Sequence, residues 1–221
     1  MTRFAGARLN DRWGLAEGRV LAVRVLPLAC VRAGILVEYD LAGQFENWRA
    51  TGAFVWLPNR FLPLEGASTP FHDLNAEGAL RLDTAAQAEQ LFRLFCASVN
   101  GSEGAFYPMR TGFPTRRSAS NPHAAHAAAQ IAKPLAIARD GQGWNVDAAI
   151  AYGSRFFAAR FDVNAAVLVE MIDDAPLFGV IPGAVPIWRD GVLHIAAPDL
   201  AELGNVSPEP EADPTRHEDA A

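Results

Sequence analysis

Two long stretches of the chain carry the apolar pattern that is typical of β-strands. From Arg19 to about Leu64, runs rich in Val, Ile and Leu are separated by Pro27 and by the turn-forming residues "LAGQ". Strand patterns return after Pro134, where the dipeptide "DG" between two alternating runs predicts a two-residue hairpin near the end of the stretch. Such closely spaced strands favour meanders and hairpins, so the sequence predicts antiparallel pairing in both stretches.

In the second stretch, apolar and polar side chains alternate, so one face of each strand is expected to be buried. Strands are predicted over 143–152 and 154–163. Arg160 and Asp162 fall on the polar face of the latter, where a cross-strand ion pair is expected. A third strand is predicted over 166–172 and is expected to end at the following "DDAPL".

One amphipathic helix is predicted from about 84 to 99. Thr84 followed by Gln87 forms a capping box, and Gly101 lies where the helix is expected to end. Apolar residues recur at three- and four-residue spacing and form the face that is expected to pack into the core: Ala88, Leu91, Phe92, Phe95 and Val99.

A second, shorter helix is predicted over about 122–132. Asn121 is a favourable N-cap, Pro122 is favoured at the first helical position, and Pro134 limits the helix at its end. Together these elements predict an α+β fold. A mostly antiparallel β-sheet of meanders or hairpins is packed by the main helix over about 84–99 and by this short helix.

The domain organisation is predicted to be simple. Residues 1–205 are expected to form a single globular α+β domain, which a chain with 50% hydrophobic residues can build. Within it, residues from about 110 to 120 are rich in Arg, Ser, Thr, Gly and Pro and are expected to form an exposed loop. Residues 206–221 are predicted to be a disordered acidic tail, because they cannot bury enough apolar surface to offset their ordering entropy.

The apolar runs and the cysteines predict a cellular location. No run of about 18 apolar residues occurs, and no apolar segment precedes Asp11, so neither a membrane span nor a secretory signal is expected. Cys30 and Cys96 lie among apolar neighbours and are expected to be unbridged core residues. We therefore expect a soluble, cytoplasmic protein, and we interpret the abundance of Ala and Arg as a bacterial-type composition.

The net charge of −6 is concentrated at the end of the chain. The last fifteen residues contribute −4 of it, so the rest is nearly neutral and lacks the basic stripe that nucleic-acid binding requires. Arg110, Arg116 and Arg117 form one local basic cluster, which we interpret as a solvated loop, with contact to an anion or a nucleic acid as the alternative.

Most motifs that define enzyme classes are missing from the sequence. It contains no phosphate-binding loop, no dinucleotide fingerprint, no nucleophile elbow and no H-E-x-x-H pair. These absences favour a role without catalysis and without a cofactor, although a site can also be assembled from scattered residues.

His123 and His126 are the candidate metal ligands. They are three residues apart on the short predicted helix, so both imidazoles can reach one metal ion. Two ligands are too few for a stable zinc site, and further ones would have to come from His72, Asp73 or His194. The alternative is an Ala-rich surface helix that carries two histidines, and we favour this interpretation.

Two acidic positions are further candidates for chemistry. Asp73 follows His72 in "FHDLN", which is expected to form a loop whose carboxylate bonds nearby amides. Asp173 and Asp174 could bind a cation or act as a catalytic carboxylate, but turn formation after a strand is the interpretation that we favour.

A candidate interaction surface combines aromatic and cationic side chains. Trp48, Arg49 and Trp56 fall in a predicted hairpin, and Arg116 and Arg117 belong to the basic loop. Trp and Arg are enriched at the centres of protein interfaces, whereas core packing would explain the aromatic residues equally well.

The sequence therefore favours an accessory or protein-interaction module without catalysis. Its expected partner is another protein, and neither a membrane nor a nucleic acid is expected. Two alternatives stay open: a small metal-dependent or hydrolase-like enzyme that uses His123 and His126, and a small-ligand-binding domain with a pocket under the helix at 84–99.

Overall fold

The first sheet is a four-stranded antiparallel meander. The computed structural model of the protein describes residues 19–42, 49–108, 135–152, 155–179, 185–189 and 192–196. The strands of the first sheet follow one another in chain order: β1 (Arg19–Pro27), β2 (Ile35–Ala42), β3 (Arg49–Trp56) and β4 (Phe61–Leu64). Each strand pairs with the next one along the chain, so the predicted meander is confirmed.

One face of this sheet is part of the protein core. Leu36 on β2 lies opposite Val55 on β3, and Val55 lies opposite Leu62 on β4. All three side chains belong to the main core cluster and are at most 9% exposed. Because side chains alternate between the two faces of a strand, the residues between them lie on the opposite face.

Two helices follow the first sheet, α1 (Thr69–Ala76) and α2 (Ala85–Ser98). The capping box predicted for α2 is confirmed. Thr84 Oγ1 accepts a hydrogen bond from the N–H of Gln87 at 3.3 Å, and Gln87 Oε1 accepts one from the N–H of Thr84 at 3.1 Å. The apolar face of α2 is buried as its periodicity predicts, with Leu91 and Phe92 both 0% exposed.

The prediction of a loop around His72 and Asp73 is wrong, because both residues lie within α1. This helix begins with Pro70 in its first turn, where the missing N–H carries no penalty. Phe71 and Leu74 lie three residues apart and are both 0% exposed. Burial of these two side chains stabilises a helix that its length alone would leave marginal.

The second sheet is also antiparallel. Its strands are β7 (Tyr107–Pro108), β8 (Ala136–Asp140), β9 (Gly143–Tyr152), β10 (Arg155–Asn164) and β11 (Leu168–Gly179). The order is β11-β10-β9-β7, and β8 also pairs with β9. Two small hairpins complete the described part: β5 (Asn100–Gly101) with β6 (Gly104–Ala105), and β12 (Val185–Arg189) with β13 (Val192–Ala196). The antiparallel pairing predicted for the strands on either side of "DG" is thus confirmed, and the two residues themselves lie outside the described residues.

The alternation predicted for β9 and β10 is confirmed. Trp144, Val146, Phe161 and Val163 are at most 8% exposed and belong to the main core cluster. On the opposite face, Arg160 makes the expected cross-strand ion pair with Asp147, which lies directly opposite on β9, with Nε 2.7 Å from Oδ1.

The predicted end of the third strand at "DDAPL" is wrong. β11 continues through Asp173, Asp174 and Pro176 to Gly179. Because β11 is the outermost strand of its sheet, one side of its backbone has no neighbouring strand within the described residues. Proline is tolerated there, since the N–H that it lacks is not required on a free edge.

One contiguous core cluster includes residues from both sheets and both helices. For example, the rings of Phe92 on α2 and Phe161 on β10 are 4.9 Å apart between centroids. The observed architecture is the predicted α+β fold with mostly antiparallel sheets. The predicted helix over 122–132, the loop over 110–120 and the tail over 206–221 lie outside the described residues.

Candidate functional site

An apolar stripe on the edge strand β1 is the most distinctive surface of the described residues. Leu21, Val23 and Val25 are 39%, 40% and 50% exposed, and they alternate with less exposed residues along the strand. β1 ends the order of the first sheet, so no strand among the described ranges pairs with its outer side. We call Leu21, Val23 and Val25 on this edge the β1 stripe.

The β1 stripe continues an apolar surface that is buried further into the sheet. Val25 lies opposite Val37 on β2, and Val37 lies opposite Phe54 on β3. Val23 lies opposite Tyr39. Val37 is 3% exposed and Tyr39 is 9% exposed, yet neither belongs to the main core cluster. The β1 stripe is therefore the exposed edge of a second apolar surface, which lies on the face of the first sheet away from the main core.

The single charge inside the apolar run of β1 is neutralised within the chain. Arg24 Nε donates to Glu38 Oε2 at 3.3 Å, and its Nη2 donates to Asp40 Oδ1 at 3.2 Å. Burial lowers the pKa of Arg24, but the charge of Asp40 and the hydrogen bond to Glu38 outweigh this effect and raise it. The guanidinium is thus held against β2 by two carboxylates.

The other long edge strand of the described residues, β11, differs from β1 in its protection. It carries exposed acids at Asp173 and Asp174, contains Pro176, and is bulged at two places along its pairing with β10. Charges, proline and bulges are the devices by which proteins keep a sheet edge from pairing with another chain. β1 has one bulge, at Leu21 between Val20 and Ala22, and its charged residue within the stripe, Arg24, is paired with Glu38 and Asp40.

The sequence-predicted aromatic and cationic surface is only partly within the described residues. Arg49 begins β3 and Trp56 ends it, so the two residues lie at opposite ends of an eight-residue strand, about 23 Å apart. The structure does not bring them together. Trp56 is 36% exposed. Trp48, Arg116 and Arg117 lie outside the described residues, and their part of the surface stays a prediction.

The predicted metal ligands His123 and His126 also lie outside the described residues. The candidate additional ligands His72 and Asp73 are exposed on α1, and the exposed Asp173 lies opposite Arg160 in the second sheet. Within the described ranges, no three side chains of His, Cys, Asp or Glu are grouped closely enough to hold a metal ion.

Both cysteines are buried free thiols, as predicted. Burial raises the pKa of Cys30 to about 12. Burial also raises the pKa of Cys96, although the charge of Arg93 opposes the shift. Because the thiolate is the reactive form of cysteine, neither side chain is poised as a nucleophile near neutral pH.

On the face of α2 under which a pocket was expected, Leu91 and Phe92 are fully buried, and the small-ligand pocket stays a prediction. A shallow cleft of about 330 Å³ lies before the start of α2, where Arg81 Nε is 3.5 Å from Asp83 Oδ2. Its lining is Arg32, Leu80, Arg81, Leu82 and Asp83.

The described residues define an α+β fold with an apolar stripe on an edge strand, whose outer side pairs with no strand among these residues. Neither helix of the described ranges is long and apolar enough to cross a membrane. Comparisons of the chain with protein-family models, with curated proteins and with solved structures found no match.

Proposed function

We propose that this chain is a bacterial-type, cytoplasmic protein-interaction module that receives a β-strand of a protein partner on the outer edge of β1. The exposed β1 stripe carries this proposal, since apolar residues are 39% to 50% exposed on an edge strand whose outer side has no strand neighbour within the described residues. Such an edge offers unpaired backbone groups beside apolar side chains, which together form a template for another strand.

Strand addition suits the chemistry of this edge. The backbone N–H and C=O groups of β1 supply hydrogen bonds that any extended segment can complete, and the alternating side chains select an apolar partner. Full burial of a valine or leucine side chain contributes about 1.5–3 kcal/mol, so completing the burial of three half-exposed residues is a substantial driving force.

The buried thiols and the internal pairing of Arg24 are consistent with this role. Cys30 and Cys96 are unbridged thiols in the core, which suits a reducing location. Arg24 is already bound by Glu38 and Asp40, so the approaching strand meets no free cation in the middle of the stripe.

Site-specific photo-crosslinking in cells that produce the chain tests the proposal. A photo-reactive residue in place of Val25 should form an adduct of defined mass with an identified protein. A matched residue in place of Ile172, which is 53% exposed on β11, should not form that adduct. The Val25 adduct should also be lost when Val23→Lys is introduced. No adduct at position 25, or the same adducts at both positions, would contradict strand addition at β1.

A further inference from the structure

We infer that the strand received by β1 is β1 of a second copy of this chain, paired antiparallel about a two-fold axis at Val23. This inference rests on the proposed function, because it names the partner of the same edge. It follows from the exposed face of β1, where Val23 has one apolar residue on each side, Leu21 before it and Val25 after it.

On the exposed face, the symmetric register brings apolar residues together across the axis. Val23 faces Val23 of the second copy, and Leu21, which is the extra residue of the β1 bulge, lies on the same side of the axis as Val25 of the second copy. On the other face of the strand, Ala22 faces Arg24. Directly opposite side chains in antiparallel strands are about 4.5–5.5 Å apart between Cβ atoms, so the two Val23 side chains are within contact distance.

Neighbouring symmetric registers are less favourable. Centring the axis on Arg24 would place two arginines directly opposite each other, and like charges at such positions are destabilising. Centring it on Ala22 would place Val25 opposite Arg19, so the most exposed residue of the β1 stripe would lose its apolar partner. The register at Val23 avoids both conflicts.

Pairing with a second copy also covers the outer edge of β1 in both chains. A two-fold contact is isologous, so each chain uses the same residues and the assembly closes at two copies. The two four-stranded sheets would become one continuous sheet of eight strands. Each Arg24 keeps its own Glu38 and Asp40 at 3.2–3.3 Å, so the two copies do not bring unpaired cations together.

Light scattering and sedimentation of the full chain test the stoichiometry. We expect twice the mass of one 23.8 kDa chain, falling to one chain on dilution. Val23→Lys places two lysines on the axis and should weaken the dimer at least about tenfold. Ile172→Lys makes the same change at an exposed position of β11 and should leave the dimer intact.

A mixing experiment guards against a folding defect in Val23→Lys. The Val23→Lys and Val23→Glu variants should each be monomeric alone and should form a heterodimer when mixed, because only the symmetric register places position 23 opposite itself. Heterodimer formation requires both variants to be folded, and failure of two folded variants to combine would overturn the register.

Cysteine crosslinking measures the register directly. Val23→Cys should form an intermolecular disulfide under mild oxidation. Val25→Cys should not, since the two copies of position 25 would be four residues, or about 13 Å, apart. The native cysteines are 0% and 2% exposed and leave the background low.

The possible results separate the two proposals. A chain that stays monomeric at high concentration, or a dimer that Val23→Lys does not weaken, overturns the second copy as the partner. If the photo-reactive residue at position 25 then captures a different protein of defined identity, the interaction module stands without its self-association. If nothing is captured at that position, both proposals fail.

Discussion

Glu38 is a carboxylate on the same face of β2 as the core residue Leu36, and its side chain is 0% exposed. Arg24 supplies a charged hydrogen bond to it from β1. Replacing Arg24 with Met removes that cation while the carboxylate stays buried, so we expect the free energy of unfolding to fall by about 1–3 kcal/mol. Urea unfolding followed by far-UV circular dichroism measures the change.

Two further variants show whether the buried charge is the cause. The double variant Arg24→Met, Glu38→Met removes both charges and should be more stable than Arg24→Met alone, because the buried carboxylate that lost its ion pair with Arg24 is removed as well. Arg160→Met disrupts an ion pair in which both side chains are half exposed, and it should change stability little. Equal stability of the single and double variants would contradict the explanation.

At the scale of elements, Gln87 links the start of α2 to the connection between β1 and β2. Its Oε1 accepts hydrogen bonds from the N–H groups of Asp83 at 2.8 Å and Thr84 at 3.1 Å, and its Nε2 donates to the carbonyl of Ala29 at 3.2 Å. Gln87→Met keeps the length of the side chain but satisfies none of these groups. Because Gln87 is 7% exposed, we expect a loss of about 1–3 kcal/mol in urea unfolding.

Gln90 offers a matched control on the same helix. It accepts from the N–H of Cys30 at 3.0 Å and donates to the carbonyl of Pro27 at 3.2 Å, but it is closer to solvent. Water can replace lost partners there, so Gln90→Met should cost less than Gln87→Met. A larger loss of stability for Gln90→Met than for Gln87→Met would contradict this explanation.

The two helices show what local pattern can predict. α2 was predicted to within one residue at each end, because its capping box and apolar periodicity are both properties of neighbouring residues. α1 was missed, although Pro70 near its start and Gly78 after its end are helix signals. It has only eight residues, and its existence depends on burying Phe71 and Leu74 against distant parts of the chain.

The end of β11 also depended on more than local sequence. Pro176 within "DDAPL" locally indicates the end of a strand, and it is compatible with a continuing strand only because β11 lies at a sheet edge. Position in a sheet is decided by long-range pairing, which neighbouring residues do not reveal. For this reason the local sequence pattern did not predict that β11 continues to Gly179.

At the scale of the whole molecule, the candidate site was the least predictable feature. The run "VLAVRVL" correctly predicts a strand, but a strand covered on both sides and an exposed edge strand can share this pattern. The β1 stripe is exposed because β1 is an edge strand of the first sheet, a position that depends on long-range pairing. Arg49 and Trp56 were grouped by proximity in sequence, whereas the extended geometry of β3 separates them.

The contiguous core predicts that both sheets unfold together. Phe92 on α2 is 0% exposed and contacts Phe161 of the second sheet, while the same core cluster includes Leu36 of the first sheet. Phe92→Ala should therefore lower the free energy of unfolding by about 3–5 kcal/mol. Hydrogen exchange read by mass spectrometry should show equal loss of protection in β2 and β9, since their slowest amides exchange through the same global opening.

Ile172→Ala, at an exposed position of β11, is the control for Phe92→Ala. It should leave the hydrogen-exchange protection of β2 and β9 unchanged. A loss confined to β9 would mean that the sheets open independently and that α2 belongs energetically to the second sheet alone. In that case the first sheet, with the β1 stripe, would open without disturbing the rest of the fold. A loss shared by both strands would instead mean that α2 transmits core packing to the sheet that carries the candidate site.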